Sequence, residues 1–545
     1  MKSKTERLRK FLFNALLLTG ISLLMRTVDV GFNVYISNNI GAEAMGLFSL
    51  ISGVYGFALT FATSGISLAT TRLVAESLGT GDNGRVRASM KRSLAYSICF
   101  GCTAAIILFL SANHIGSVWL DDERTVIPLR LLSITLPLIS ITSCLRGYFS
   151  AVRRVYKNAV SQVCEQAVRI FATVYLLSAL IARDIESACT AIIVGGTLSD
   201  LLSFAVMYIM YLYDRYRHTQ KKLTQSTTGL TSHLLHIALP VAFSTYARSG
   251  LLTLEHILIP IGLRKSGSSR GESLAAYGTL HSMVMPIVLF PSALISNFSG
   301  LLIPELAECK VRNNQTQIRY IASRVFQLSL LFSICISGIM ICFSNELGQV
   351  IYSSNEASSY IKLLAPLIPI MYLDTTTDSM LKGLGQQLYS MNINIIDASL
   401  SVLLVWILLP SLGINGYIIT IFITEILNAT FSIVKLISVT NMKTDTVKWI
   451  FKPLACIVGS TSVSKLLFST VWRLQQSAFS LTVHITVSVI LYFVFCIATF
   501  AVSRDDIRWI GSILHKSSQK KSKPERGSDA PPLLNSSKTR KQAKI

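Results

Sequence analysis

Apolar stretches recur from Phe11 to Val502, each about as long as the 20 residues that a helix needs to cross a hydrocarbon core of roughly 30 Å. Lipid offers no hydrogen-bond partner, so every backbone N–H and C=O in such a stretch must be satisfied internally, as a helix does. The pattern predicts an all-α integral membrane protein with about fourteen transmembrane helices. They are expected at 11–36, 46–70, 94–111, 126–149, 159–181, 187–213, 234–260, 275–303, 321–344, 361–384, 389–411, 415–438, 449–471 and 480–502.

The start of the chain resembles a signal peptide, because five Lys or Arg residues in 1–10 precede an apolar run. Arg26 and Asp29 follow this run instead of a small-residue cleavage site, so we expect an uncleaved first helix. With the N-terminus inside, the inner segments hold 38 Lys and Arg residues and the outer loops hold seven. This asymmetry predicts that both termini are cytoplasmic.

The composition agrees with a membrane protein, since 14% of the residues are charged, against about 25% in soluble domains. The net charge of +22 is explained by orientation and lipid contact, and we expect no nucleic-acid partner. The ten cysteines lie mostly in apolar runs. Cys99 and Cys102 form a C-x-x-C within a predicted membrane helix, where buried small side chains are the simpler interpretation. We expect no disulfide framework, metal or cofactor.

The chain contains an internal repeat. Adding 232 maps Gly46 onto Gly278, and adding 222 maps Arg26 onto Arg248. The change of offset fits a ten-residue insertion near 262–271. Equivalent positions are six helices apart, so the two copies have the same orientation, related by an axis along the membrane normal. The predicted domains are a six-helix lobe (1–214), a cytoplasmic linker (215–233), a second six-helix lobe (234–440), helices 13 and 14 (441–502) and a tail (503–545).

The tail is polar and rich in Lys, Pro and Ser, with eleven basic residues. Such a composition cannot bury enough apolar area to fold, so we expect a disordered cytoplasmic segment. It either binds anionic lipid head groups or remains solvated.

Motifs of soluble enzymes are absent or misleading, and we do not expect an enzyme. Gly79-x-Gly81-x-x-Gly84 matches a dinucleotide fingerprint by letter, but it follows a membrane helix instead of a strand. No G-x-x-x-x-G-K-[ST] is present, so the sequence contains no P-loop for ATP.

Ionisable residues inside the apolar runs are the candidate functional residues, because a lone charge at mid-bilayer costs about 2.5–3.5 kcal/mol and usually faces a cavity or a partner. The set is Arg26, Asp29, Glu165, Arg169, Asp200, Arg248, Glu255, Asp374, Asp378, Asp397 and Glu425. Glu165 with Arg169, and Asp378 with Lys382, have the i,i+4 spacing of intrahelical ion pairs, which gives them a structural interpretation. The acids remain candidates for ion coupling or for structural pairing.

Arg26 and Arg248 occupy equivalent places in the first helix of each repeat. A pseudo-twofold axis would put them on opposite walls of one cavity, where two planar guanidinium groups suit a phosphate or pyrophosphate. Three functions remain open. The arginines favour export of an anionic lipid-linked group, the acids favour H⁺- or Na⁺-coupled export of drugs or cations, and a membrane scaffold would need neither.

Residues 41–76 resemble a known family. The stretches are Gly41-Ala42-Glu43-Ala44-Met45-Gly46-Leu47-Phe48, Ser64-Gly65-Ile66 and Arg72-Leu73-Val74-Ala75-Glu76. They resemble the stage V sporulation protein B family, which belongs to the polysaccharide transporters of the multidrug/oligosaccharidyl-lipid/polysaccharide exporter superfamily. The resemblance covers about 10–500.

The resemblance implies two lobes around a V-shaped cavity and flipping of an undecaprenyl-pyrophosphate-linked saccharide, such as a peptidoglycan precursor for spore cortex or cell wall. By the same resemblance, Arg26 matches a cavity arginine of related peptidoglycan-precursor flippases. Their second arginine, two turns on, is replaced here by Phe32-Asn33. We therefore expect a flippase of the bacterial cell membrane that works by alternating access. Arg26 and Arg248 would bind the head group, Arg72 would contact it at the cytoplasmic mouth, and wall-synthesis proteins are candidate partners.

Overall fold

The computed structural model describes residues 2–79, 83–179, 184–217, 229–442, 444–470 and 478–502. All regular structure in these ranges is helical, and they contain no β-strand. Asn14–Ala501 form one compact unit, and the start of α1 up to Phe13 belongs to another. The predicted tail and most of the predicted linker lie outside the described residues.

The first half of the chain forms six long helices, the first of which is broken. They are α1 (Lys2–Thr63), α2 (Ile66–Gly79), α3 (Asn83–His114), α4 (Val126–Ala151), α5 (Tyr156–Ala179) and α6 (Ile185–Arg217). Gly41 breaks α1 with a φ of 80°, a conformation that glycine adopts without steric cost. The first predicted membrane segment, 11–36, lies in the part of α1 before Gly41. The second, 46–70, begins in the part after Gly41 and ends in α2.

The second half repeats this order with more breaks. Its helices are α7 (Leu230–Lys265), α8 (Arg270–Tyr277), α9 (Met285–Leu289), α10 (Ser292–Val311), α11 (Gln315–Cys342), α12 (Ser344–Tyr352), α13 (Asn355–Leu364), α14 (Ile368–Gly383), α15 (Gln387–Leu412), α16 (Ile414–Thr440), α17 (Lys452–Thr470) and α18 (Ala478–Ala498). A π-helical turn, Gly278–Val284, joins α8 to α9.

Nine helices in the described ranges are long and apolar enough to cross a membrane, or ten if the pair Arg270–Leu289 and Ser292–Ser299, bent by 55°, is one span. Leu23–Gly79 counts once in this total although Gly41 breaks it. Each of the fourteen predicted segments overlaps a helix of the structure. The all-helical membrane architecture is confirmed, and the number fourteen stays a prediction.

The internal repeat is visible in a reciprocal packing contact between α1 and the segment formed by α8 and the π-helical turn that follows it. A Cβ atom added to Gly46 would lie 1.9 Å from the carbonyl oxygen of Leu274, and one added to Gly278 would lie 2.2 Å from that of Ala42. Adding 232 converts Ala42 into Leu274 and Gly46 into Gly278. The contact is therefore the same pair of positions seen from both sides, as a twofold axis between the two helices requires.

A second pair of glycines is related by an offset of 236. A Cβ atom on Gly147 would lie 2.6 Å from the carbonyl oxygen of Ser67, and one on Gly383 would lie 3.0 Å from that of Ile303. Adding 236 converts the first pair into the second. In the first half α4 thus packs against α2, and in the second half α14 packs against α10, with glycine permitting the close approach. The exact lobe and linker boundaries stay predictions.

One end of the bundle holds the predicted outer loops, which contain few Arg and Lys residues, and the other end holds the predicted inner segments, which contain many. At the first of these, the Arg/Lys-poor end, the two halves are joined by ion pairs. Arg264 lies 2.6 Å from Asp121, and Arg270 lies 3.2 Å from the buried Asp122. Arg124 also contacts Asp122, at 2.8 Å. Both Arg264 and Arg270 belong to the insertion that the repeat offsets indicate in the second copy. The extra residues therefore close this end of the bundle.

At the Arg/Lys-rich end, the start of α7 contacts α2 and α3. Nε2 of His233 lies 2.8 Å from Oε2 of Glu76, and Nη1 of Arg92 donates to Oγ1 of Thr231 at 2.6 Å. Glu76 also pairs with Arg72 at 3.0 Å. The two halves therefore meet at both ends of the bundle in this conformation.

Candidate functional site

The two predicted head-group arginines lie on α1 and α7. Arg26 and Arg248 are exposed, and no residue in the described ranges forms an ion pair or hydrogen bond with either. Arg26 is within electrostatic range of Tyr372, and Arg248 is within range of Asp374. Both of these side chains are on α14, so the structure brings the two arginines towards one helix of the second half.

Glu165 is the centre of a polar cluster in the first half. Its carboxylate accepts hydrogen bonds from Arg146 at 2.7 Å, from Ser203 at 2.8 Å and from Arg169 at 3.3 Å. The predicted i,i+4 pair with Arg169 is present, but Arg146 on α4 is the nearer cation. Glu165 therefore ties α4, α5 and α6 together as well as stabilising its own helix.

A cavity of about 300 Å³ lies beside this cluster. Arg146, Glu165 and Asp200 line it together with hydroxyl groups, among them those of Thr60 and Thr142. Carboxylate and hydroxyl oxygens suit a proton, a small cation or water. The first half therefore contains a partly open cavity with polar groups in its lining.

Asp29 connects the first helix to this cluster. Its carboxylate lies beside Gln166 and within electrostatic range of Arg169 and Arg26. The expected partial neutralisation by Arg26 is thus electrostatic, without a hydrogen bond between the two side chains in the structure. Asp29 on α1 therefore lies close to polar side chains of α5.

The second half contains a cluster of four acids on four helices. They are Glu255 on α7, Asp374 on α14, Asp397 on α15 and Glu425 on α16. Glu425 lies within electrostatic range of Asp374 and Asp397, and Glu255 within range of Asp397. Nδ2 of Asn428 donates to Asp374 at 3.2 Å. Arg248 lies within electrostatic range of two of them, Asp374 and Asp397.

The remaining predicted residues have nearby partners. Lys382 lies 2.5 Å from Asp378, and Ser390 also hydrogen bonds to Asp378, so this pair anchors α14 to α15. Arg72 is 62% exposed and paired with Glu76 at the Arg/Lys-rich end. Its position at that end agrees with a mouth contact, and its guanidinium is partly occupied by Glu76.

Sequence reasoning missed two groups. Arg146 was not among the candidate residues, although its place in a largely apolar helix was a signal. His256 and His281 form an edge-to-face ring contact at 4.6 Å between centroids, and His256 accepts or donates a hydrogen bond with Tyr277 at 2.9 Å. A Cβ atom on Gly53 would lie 3.0 Å from His256, so these rings pack where the two halves meet.

Comparison with known proteins gives relatives for most of the chain. Residues 11–310 match the family described as polysaccharide biosynthesis protein, and residues 267–407 match the family described as MatE. Stage V sporulation protein B of Bacillus subtilis (strain 168) is 26% identical over 411 residues, which is 74% of this chain and 79% of that protein. The lipid II flippase MurJ of the same organism is 24% identical over 408 residues, 70% of this chain and 74% of that one.

Two solved structures support the fold. A lipid II flippase MurJ in an inward closed conformation aligns with a TM-score of 0.68 at 12% identity, over 92% of this chain and 99% of that chain. An inward-facing multidrug resistance MATE family transporter aligns with a TM-score of 0.57 at 14% identity, over 77% and 96%. The chain therefore has the fold of these two transporters.

Proposed function

The chain belongs to the polysaccharide biosynthesis protein family, and on this premise we propose that it flips a lipid-linked saccharide of the undecaprenyl-pyrophosphate type across the bacterial cell membrane. The related stage V sporulation protein B and lipid II flippase support this substrate class. A peptidoglycan precursor for spore cortex or cell wall is the specific candidate. The proposed orientation has both termini in the cytoplasm, with wall-synthesis proteins as candidate partners.

Arg26 and Arg248 carry the proposal. They are related by the repeat, are exposed, and have no ion-pair partner among the described residues. A permanent charge that forms no ion pair is costly inside a membrane and therefore indicates an anionic ligand or an aqueous path. Guanidinium groups match phosphate oxygens in a bidentate geometry, and the pyrophosphate of the substrate would supply them.

Alternating access provides the mechanism. Ion pairs close the Arg/Lys-poor end, and the contacts of His233 and Thr231 close the opposite end. Breaking the contacts of His233 and Thr231 would open the cytoplasmic mouth, where Arg72 would attract the head group. Breaking the ion pairs at the opposite end would let the head group leave outside while its lipid tail stays in the bilayer.

The test is an arginine series scored by complementation of a deletion strain and normalised to the amount of membrane protein. Arg26→Ala and Arg248→Ala should each lower flipping about ten- to a hundredfold, because a charge-assisted hydrogen bond contributes about 1.5–3 kcal/mol. Lysine should restore only part of the activity, since it lacks the planar fork. Arg319→Ala, an exposed arginine on α11, is the matched control. Full activity of the Arg26→Ala, Arg248→Ala double variant would refute the proposal.

The four acids of the second half favour a second function, H⁺- or Na⁺-coupled export of a drug or cation. Four carboxylates lie together, and Arg248 is within range of only Asp374 and Asp397, so a bound cation would neutralise charge that the arginine does not. In this case Arg248 would serve as their counter-ion. Neutralising Glu255 or Asp397 would then abolish export, while Arg26→Ala would have little effect. A membrane scaffold would tolerate both kinds of substitution, so the same series separates the three functions.

A further inference from the structure

A separate pocket opens at the Arg/Lys-rich end of the first half. Its volume is about 590 Å³, and it lies where the start of α3, the α4–α5 connection and the end of α6 meet. Its polar lining consists of Arg87, Arg153, Arg154, Asp214 and Arg215. We call this the basic pocket. None of these residues belongs to the arginine pair or the acid clusters described above, so the basic pocket is independent of the proposed transport site.

Among the described residues that line the basic pocket, arginines outnumber carboxylates. Asp214 is the single carboxylate of this described lining and is 3% exposed. Asp214 already accepts hydrogen bonds from Tyr148 at 2.8 Å, from Lys157 at 3.2 Å and from Arg154. Its charge is therefore engaged within the protein.

Arg87 and Arg153 are the groups best placed to receive a ligand. Both are exposed, and neither forms an ion pair with a residue in the described part of the chain. They come from different helix ends, so a ligand between them would be gripped from two sides. Planar guanidinium groups arranged in this way suit the tetrahedral oxygens of a phosphate.

The backbone at Arg153 adopts the left-handed conformation that glycine adopts at the end of α14. Arg153 has a φ of 59°, and the amides of Arg153 and Arg154 donate to Ser150 and Phe149 in a helix-ending Schellman pattern. At the end of α14 the same pattern has Gly385 in the left-handed position, with a φ of 68°. Glycine is favoured there, and the first half instead places a guanidinium at this strained position.

The walls of the basic pocket include apolar and aromatic side chains. Leu78, Met90 and Tyr211 line it, and Tyr213 and Tyr216, which follow Tyr211 on α6, are 62% and 87% exposed. Tyrosine is enriched at the level of lipid head groups. A ligand with a phosphate and an adjoining apolar part would therefore match both the guanidinium groups and the walls.

We propose that the basic pocket binds a phosphate-bearing anion, with the phosphate held by Arg87 and Arg153. The phosphate belongs either to an anionic lipid at the inner membrane surface or to a small soluble phosphate compound. In both cases the ligand links the start of α3 to the α4–α5 connection. Binding would thereby stabilise the first half as a unit.

The test measures the thermal unfolding of the full chain in neutral detergent micelles while a probe is titrated. One arm adds phosphatidylglycerol, with phosphatidylcholine as its neutral control, and the other adds inorganic phosphate. Saturable stabilisation by phosphatidylglycerol alone identifies a lipid source, and stabilisation by inorganic phosphate identifies a soluble source. The apparent Kd should rise about ten- to a hundredfold in Arg87→Ala and in Arg153→Gly, the loss expected for one charge-assisted hydrogen bond.

Arg153→Gly removes the guanidinium and suits the left-handed backbone, so it should fold at least as well as the natural chain. Arg319→Ala removes one charge from the same end of the bundle outside the basic pocket and should leave the Kd unchanged. Equal loss of binding in Arg319→Ala and Arg153→Gly would overturn the proposal, because it would indicate attraction by overall charge. The absence of saturable stabilisation by either probe would also overturn it.

Discussion

Gly46→Ala is expected to hold the Arg/Lys-poor end of the bundle open. The added Cβ would lie 1.9 Å from the carbonyl oxygen of Leu274, so the two backbones must separate by about 1.5 Å to reach an ordinary contact. Overpacking of this kind costs about 1–3 kcal/mol. Applied to the closed state alone, it shifts the closed-to-open ratio about 5- to 150-fold.

The opening can be followed by thiol labelling at Ser282, which is 5% exposed and hydrogen bonds to the carbonyl oxygen of Met45 at 3.2 Å. Ser282→Cys in the purified chain should react slowly with a bulky maleimide. Its rate is obtained by subtracting the labelling of the chain without this substitution, which reports the ten natural cysteines. Adding Gly46→Ala should accelerate this reaction by the same 5- to 150-fold. Flipping should fall, because closure of this end is one half of the transport cycle.

Two variants make the experiment specific. Gly56→Ala lies on the same helix, with nothing within 4 Å of the added Cβ, and should leave the labelling rate unchanged. Gly278→Ala should reproduce Gly46→Ala, because its Cβ would lie 2.2 Å from the carbonyl oxygen of Ala42 in the reciprocal contact. Labelling of Gly46→Ala at the rate of Gly56→Ala, with flipping retained, would refute both the contact and the role assigned to it.

Three further predictions concern topology, the tail and the ionic closure. A cysteine at Asn113 should react with an impermeant thiol reagent outside intact cells and cysteines at 220–230 should not; labelling of the latter would contradict the orientation. Deletion of 515–545 should preserve complementation at normal protein levels, since it removes no apolar segment. Arg264→Asp should remove the 2.6 Å ion pair with Asp121, a loss of up to about 1 kcal/mol, the usual limit for an exposed pair, and should raise the labelling rate at Ser282. The double charge swap with Asp121→Arg should restore the original rate, and failure to restore it would remove the pair from the closing mechanism.

The sequence by itself determined the membrane helices and the repeat. Helix formation in lipid depends on the length of an apolar run, which is a local property, so each predicted segment overlaps a helix. The offset of 232 related Gly46 to Gly278, and the structure adds that the two glycines take part in one reciprocal contact. Pairs at i,i+4 such as Glu165 and Arg169 were also readable, because helical geometry alone brings these side chains together.

Tertiary structure alone decided which distant residues meet. Arg146 on α4 pairs with Glu165 on α5. The basic pocket brings together Arg87 of α3, Arg153 of the α4–α5 connection and Arg215 of α6. No spacing rule relates such positions, since their distance depends on how whole helices pack and on where each one ends. Charge shows in a sequence that a residue needs a partner, but only the packing of the helices determines which partner it finds.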